Sequence, residues 1–205
     1  MYGYGLFVSY RRSDVPDVAK EIADACIARL GVDKVFFDRS ALQPGDHWSS
    51  ELIVAAQMCD VMLVIIGPNW LGETPKQLKN KLLKRNRLWD ENDYVQREIK
   101  AAYLDSESEY SIIIPVLVGD ARLPQKKELP MFVDNMLESQ VFHLSMHNRA
   151  EDIETLVNYI EKKIPEIESE NRQYTKDKSF FAIIAILFVV LLGYGVYWVA
   201  STFFF

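Results

Sequence analysis

Apolar and polar positions fall along the chain in blocks whose periods separate strands from helices. Leu6-Phe7-Val8-Ser9-Tyr10 reads as a short apolar strand. From Asp14 to Leu30 the apolar residues are Val15, Val18, Ala19, Ile22, Ala23, Cys26, Ile27 and Leu30. That 3.6-residue spacing predicts an amphipathic helix, stopped by Gly31. Val35-Phe36-Phe37 predicts a second strand, and Asp38–Asp46 a loop turning at Pro44-Gly45. A helix is expected over Trp48–Met58, with Leu52, Ala55 and Ala56 facing inward. Val61–Ile66 is apolar without interruption, as suits a central parallel strand buried on both faces. Asp90 or Asp93 caps a helix running to Leu104, and Ile112–Val118 is a fourth strand. Pro115 within it favours an edge, a bulge or a strand end. Val141-Phe142-His143-Leu144 predicts a fifth strand, and Ala150–Ile164 a closing helix.

Strands and helices alternating at these spacings imply parallel βαβ units with right-handed crossovers. The expected fold is α/β: a flavodoxin-like, five-stranded parallel sheet of order 2-1-3-4-5, flanked by helices. Ligands of such sheets bind outside the carboxyl ends of the strands. Here that rim collects Tyr10-Arg11-Arg12, Asp38 and its loop, and Gly67-Pro68-Asn69-Trp70.

The pattern changes at the C-terminal end. No charged residue occurs from Phe180 to Phe205, and a helix of about 20 apolar residues crosses a hydrocarbon core. Aromatics gather at both ends of the run, Phe180 and Phe181 before and Tyr194, Tyr197 and Trp198 after, as in interfacial belts. Lys176 and Lys178 flank it, so the positive-inside bias puts residues 1–179 on the cytoplasmic side of a cell inner membrane. Ile164–Ser179 is polar, with Pro165 expected to end the preceding helix, and reads as a juxtamembrane linker or a fraying helical extension. The expected organisation is a domain over 1–163, a linker over 164–179 and a transmembrane helix over 180–205.

A net charge of −6 on 205 residues disfavours a partner made of nucleic-acid phosphates. Cys26 and Cys59 sit in apolar stretches and read as small buried hydrophobes of a reducing compartment. His47, His143 and His147 are scattered, so no metal site is expected. The first five residues lack a basic region and a long apolar run, and no signal peptide is expected there. Thr74–Arg87 carries Lys76, Lys79, Lys81, Lys84, Arg85 and Arg87 with no acid between. It is a solvated face, an anionic-lipid contact or a subunit contact.

Five segments, in order, resemble the boxes of TIR (Toll/interleukin-1 receptor) domains of the bacterial type. LFVSYRRSD (Leu6–Asp14) resembles the first box, and VFFDRSALQPGDHW (Val35–Trp48) the second strand and BB loop. VMLVIIGPNWL (Val61–Leu71) is similar to the third strand. DYVQREIKAA (Asp93–Ala102) is similar to the aromatic-x-x-x-Glu-Ile helix, and IIIPVLV (Ile112–Val118) to the fourth strand. The resemblance spans residues 5–163.

It implies one of two activities: cleavage or cyclisation of NAD+, or scaffolding by TIR–TIR pairing. It also implies a catalytic glutamate near the start of the helix after the BB loop, where Glu51 is the carboxylate. In some relatives the residue lies about two positions earlier, where this chain has Ser49. Glu98 is the second-choice carboxylate and otherwise a structural partner of its helix face. Expulsion of a neutral pyridine needs no proton, so one carboxylate can suffice where glycosidases use two. Substrate contacts are expected from Tyr10, Arg11, Arg12, Phe37, Asp38, Trp48 and Trp70. The alternative for Arg11 or Arg12 is an ion pair with Asp38 or Asp14, and for the aromatics a place in the core. No Gly-rich turn follows the first strand, so redox use of NAD is not indicated; NAD+ enters as substrate, with no resident cofactor.

The implied setting is a membrane-tethered antiphage effector. It would self-assemble through the BB loop Asp38–Asp46, with the bilayer raising its effective concentration and a separate component possible as trigger. A non-enzymatic adaptor, a membrane-permeabilising helix and a nucleoside-processing enzyme are the readings it competes with.

Overall fold

The structure is a computed structural model that covers residues 5–37, 48–72, 86–104 and 111–203, with positions 48–50, 132, 134–135, 187 and 189–203 covered in backbone only. Five parallel strands form one sheet in the order β2-β1-β3-β4-β5: β1 (Leu6–Tyr10), β2 (Val35–Phe36), β3 (Val61–Ile66), β4 (Ile112–Val118) and β5 (Phe142–Leu144). This is the expected order. Every residue of β3 is buried, because helices cover both faces and neither side of the strand meets water. Alternate residues feed two cores. Val61, Leu63 and Ile65 join α1 (Pro16–Leu30) and α5 (Arg149–Phe203) on one face. Met62, Val64 and Ile66 join α2 (Trp48–Gln57), α3 (Tyr94–Leu104) and α4 (Met131–Asp134) on the other.

Helix ends follow local chemistry. α1 stops at Gly31, whose φ of 95° lies in the region that costs a side chain most. Asp93 accepts the Gln96 N–H at 3.1 Å, so it and not Asp90 caps α3. Pro115 pairs with Val64 on its β3 side, while the ladder to β5 begins only at Val116. The proline therefore sits where one side of the strand is locally unpaired, a position that tolerates it.

Two expectations are corrected. Phe37 lies just past the two-residue β2 rather than within it. Pro165 does not end a helix: α5 runs through it from Arg149 to Phe203. The missing N–H and the ring cost about 3 kcal/mol in a helix interior. Ile164 and Ile167, on either side, are both buried in the core, and one such burial returns about 1.5–3 kcal/mol. Between β4 and β5 the structure also holds 3-10 turns at Lys126–Glu128 and Asn135–Glu138 beside α4. These are too short to show a period in sequence.

The chain divides into two compact units, Met1–Ile167 and Glu168–Phe205. In the second, Phe180, Phe181, Ile183, Ile184, Ile186 and Phe188 are exposed. Among the described residues, no helix is long and apolar enough to cross a membrane.

Candidate functional site

The chain leaves β1 for β2 on one side and reaches β3 on the other, so the strand order reverses at β1. The carboxyl end of such a strand is where open α/β sheets bind ligands. A cavity of about 350 Å³ lies there, within the size range of small-molecule sites. β1 and the turn after it supply Phe7, Val8, Tyr10, Arg11, Arg12 and Ser13. Phe36 and Leu52 add an apolar wall, and Arg87, Asp93, Tyr94, Val95 and Glu98 come from the start of α3 and the turn before it.

Polar contacts join β1 and the turn after it to α3 and its N-cap. Arg11, 4% exposed, places its two terminal nitrogens on Asp93 at 2.7 and 3.2 Å and donates Nε to the Trp70 carbonyl at 2.6 Å. Arg87 approaches the same carboxylate at 3.4 Å. Two positions back along the strand, on the same face, the Ser9 hydroxyl donates to Glu98 Oε2 at 2.5 Å. Tyr94 and Glu98 are four apart on α3, hence on one helix face, and both line the cavity. The Arg97 guanidinium lies 6.0 Å from the Tyr94 ring centre. Phe36 stacks on Phe7 at 5.0 Å and 8° between planes.

The rim is braced from behind. Asp14 accepts the Gly67 and Asn69 backbone N–H groups, both at 2.8 Å, so it is committed to the turn after β3 and not to an arginine. A Cβ on Gly67 would stand 2.5 Å from the Asp14 carboxylate; only glycine admits this close approach.

The expected site residues separate into groups. Tyr10, Arg11 and Arg12 line the cavity, but Arg11 is paired with Asp93 rather than with Asp14. Phe37 stacks on Tyr10 at 5.2 Å and packs against the α1–α5 core. Trp70, expected at the rim as a stacking surface, is corrected: it is 1% exposed within the α2–α3 core, where no ligand ring reaches it. Its Nε1 is buried with no hydrogen-bond partner among the described residues. Glu51 lies exposed in the first turn of α2 and does not line the cavity. Asp38, the remainder of the BB loop and residues 74–85 of the basic stretch lie outside the described residues, as does the side chain of Trp48.

Sequence reasoning missed Ser9, Asp93 as a cavity residue, and the Phe7–Phe36 and Tyr94 walls. Ser9 carried a signal nonetheless, as the one non-aromatic polar residue of an otherwise apolar strand. Among the described residues, no group of three His, Cys, Asp or Glu side chains could hold a metal ion.

A family model described as "TIR domain" matches residues 6–157. No curated protein matches the chain. Among solved structures, the chain is similar to the TIR domain of the Toll-related receptor TRR-2 from the lower metazoan Hydra magnipapillata. That alignment has 14% identity and a TM-score of 0.43, and covers 77% of this chain and 98% of that one. It is also similar to the TIR domains of the activated Roq1 resistosome, which directly recognises the pathogen effector XopQ. There the identity is 16% and the TM-score 0.44, over 85% of this chain and 99% of that one.

Proposed function

The chain belongs to the TIR-domain family, and from that premise we propose that it cleaves the nicotinamide–ribose bond of NAD+, with Glu98 as the working carboxylate. The observation that carries this is the position of Glu98. It is 7% exposed, lines the cavity at the carboxyl end of β1, and sits on one helix face with an exposed aromatic ring, Tyr94.

In the reaction the electron pair of the C–N bond leaves with nicotinamide, restoring a neutral aromatic pyridine. The ribosyl carbon becomes oxocarbenium-like. A water molecule adds there and loses a proton, or an internal nucleophile of the same dinucleotide closes a ring. A carboxylate held in a site of low dielectric stabilises that cation more than one in water. Glu98 meets this need better than Asp93 or Glu51. Asp93 is neutralised by Arg11 and Arg87, and Glu51 is exposed and outside the cavity. The rim arginine Arg12 is suited to a pyrophosphate.

The remaining parts of the reading follow from the uncharged run after Lys178 for the anchor, and from the resemblance of the boxes for assembly and setting. Residues 180–205 anchor the chain in a bacterial inner membrane with the TIR domain on the cytoplasmic side. Self-association through Asp38–Asp46 raises activity, and the setting is defence against phage.

The test is nicotinamide release from NAD+ by the full chain in liposomes, followed by chromatography across a range of protein densities. Glu98→Gln is expected to lose at least about 10²-fold in kcat, the scale of losing one preorganised electrostatic contact, while Glu51→Ala turns over near the wild-type rate. Unchanged turnover in Glu98→Gln removes Glu98 from the mechanism. A loss confined to Glu51→Ala returns the role to Glu51. No release by the wild type at any density leaves a docking scaffold.

A further inference from the structure

Ser9 occupies a place where a hydroxyl is expensive. It is 1% exposed, on the face of β1 that carries Phe7 and meets the α2–α3 core. A buried hydroxyl costs free energy unless it is hydrogen-bonded, and an aliphatic side chain would fill the same position at no such cost. Its bond to Glu98 Oε2 is 2.5 Å long, in the short range of charge-assisted O–H···O⁻ contacts. Ser9 itself does not line the cavity, whereas Glu98 does. The hydroxyl therefore meets the carboxylate from the protein side and leaves the substrate side to others.

The two partners differ in rigidity. Ser9 lies in the interior of the sheet, in register with Val64 of β3, and its hydroxyl sits one bond beyond Cβ. Glu98 reaches out from α3 on a long side chain that loses rotamer freedom when it is fixed. We infer that Ser9 is a positioning residue for the reaction: it anchors one carboxylate oxygen of Glu98 to the sheet, so that the carboxylate is aimed at the ribosyl carbon before substrate arrives. This rests on the reading of Glu98 as the carboxylate that faces the cationic sugar. The two β1–α3 contacts then divide their labour. Arg11–Asp93 sets where the helix begins, and Ser9–Glu98 sets where one side chain on it points.

The experiment compares Ser9→Ala, Ser9→Cys and Glu98→Gln in the full chain, with NAD+ and kcat and KM determined separately. Thermal melting of each variant supplies the folded fraction. Cysteine keeps the shape of serine but is a weak donor. The expected order of kcat per folded molecule is serine, then cysteine, then alanine. Ser9→Ala is expected to fall by about 10²-fold, the scale of a small misplacement of a reacting group, with KM near wild type. That pattern marks an interaction made in the transition state alone. Wild-type kcat in both Ser9 variants overturns the inference, as does a loss expressed through KM alone. If Glu98→Gln is inactive while Ser9→Ala is not, only the role of Ser9 falls. If Glu98→Gln keeps full turnover, the reading beneath it falls as well.

Discussion

Asp93 serves three partners at once. Its carboxylate takes both terminal nitrogens of Arg11, lies 3.4 Å from Arg87, and accepts the Gln96 N–H that begins α3. Asparagine caps helices as well as aspartate does, so Asp93→Asn isolates the loss of charge. It leaves the buried Arg11 cation without its counter-ion, and unfolding in urea should show a loss of about 3–5 kcal/mol. Adding Arg11→Met to that variant should recover part of the loss, because the orphaned charge is then gone. A double variant as unstable as the sum of the two singles would mean that the pair is not coupled. At this scale the sequence was readable where chemistry is local and unreadable where it is not. The cap at Asp93 was in view, because it acts three residues away. The partner of Arg11 was not: 82 residues separate it from Asp93, and nothing nearby distinguishes that carboxylate from Asp14 or Asp38. The resemblance of the boxes points to Glu51, near the start of the helix after the BB loop, while Glu98 lines the cavity only because α3 packs against β1. Trp70 lies in a turn and looked accessible, yet Arg11 bonds to its carbonyl and Asp14 to the N–H groups of Gly67 and Asn69. The turn is thereby held at both ends, with its ring in the core.

Among the described elements, periodicity identified the five strands, α1, α2, α3 and the part of α5 up to Ile164, because each of these turns an apolar stripe or run toward one of two cores. It failed on the stretch between β4 and β5, where α4 and its two 3-10 neighbours are each four residues or fewer. The first of those turns is held electrostatically. Arg122 places both terminal nitrogens on the Glu128 carboxylate, each at 2.8 Å, and the Gln125 N–H donates to it at 2.8 Å. The arginine first, and the backbone N–H after it, hold the Glu128 carboxyl down from 4.5 to about 2. A carboxyl depressed in the folded state stabilises fully above its unfolded value and loses that contribution as pH falls toward its folded one. Glu128→Gln should therefore melt below the wild type at pH 7, and the gap should close as pH falls from about 4.5 to about 2. A gap that is constant across that window would show that the carboxylate adds nothing beyond its shape. Pro165 carries the opposite lesson about elements. Its local preference to end a helix is outweighed by Ile164 and Ile167, which keep α5 in contact with the core.

For the whole molecule, the sheet order followed from strands alternating with helices as parallel βαβ units, and the family model matches within the first compact unit. The second unit, with its row of exposed Phe and Ile side chains, is the part whose role is argued from charge and length. If residues 180–205 insert in a bilayer, the full chain should float with liposomes in a density gradient and resist alkaline carbonate. A chain ending at Ile167 should stay in the aqueous fraction. A full chain that remains aqueous with liposomes present would refute the anchor and leave the reading of the cavity untouched.

The hydroxyl of β1 and the carboxylate of α3 stand 89 residues apart in sequence. A nascent chain still emerging from the ribosome has made the first long before the second exists, and even a complete chain brings them together only when the sheet has closed. If Glu98 is the working carboxylate, activity requires that long-range contact to have formed, and any unfolding that parts strand from helix would abolish it.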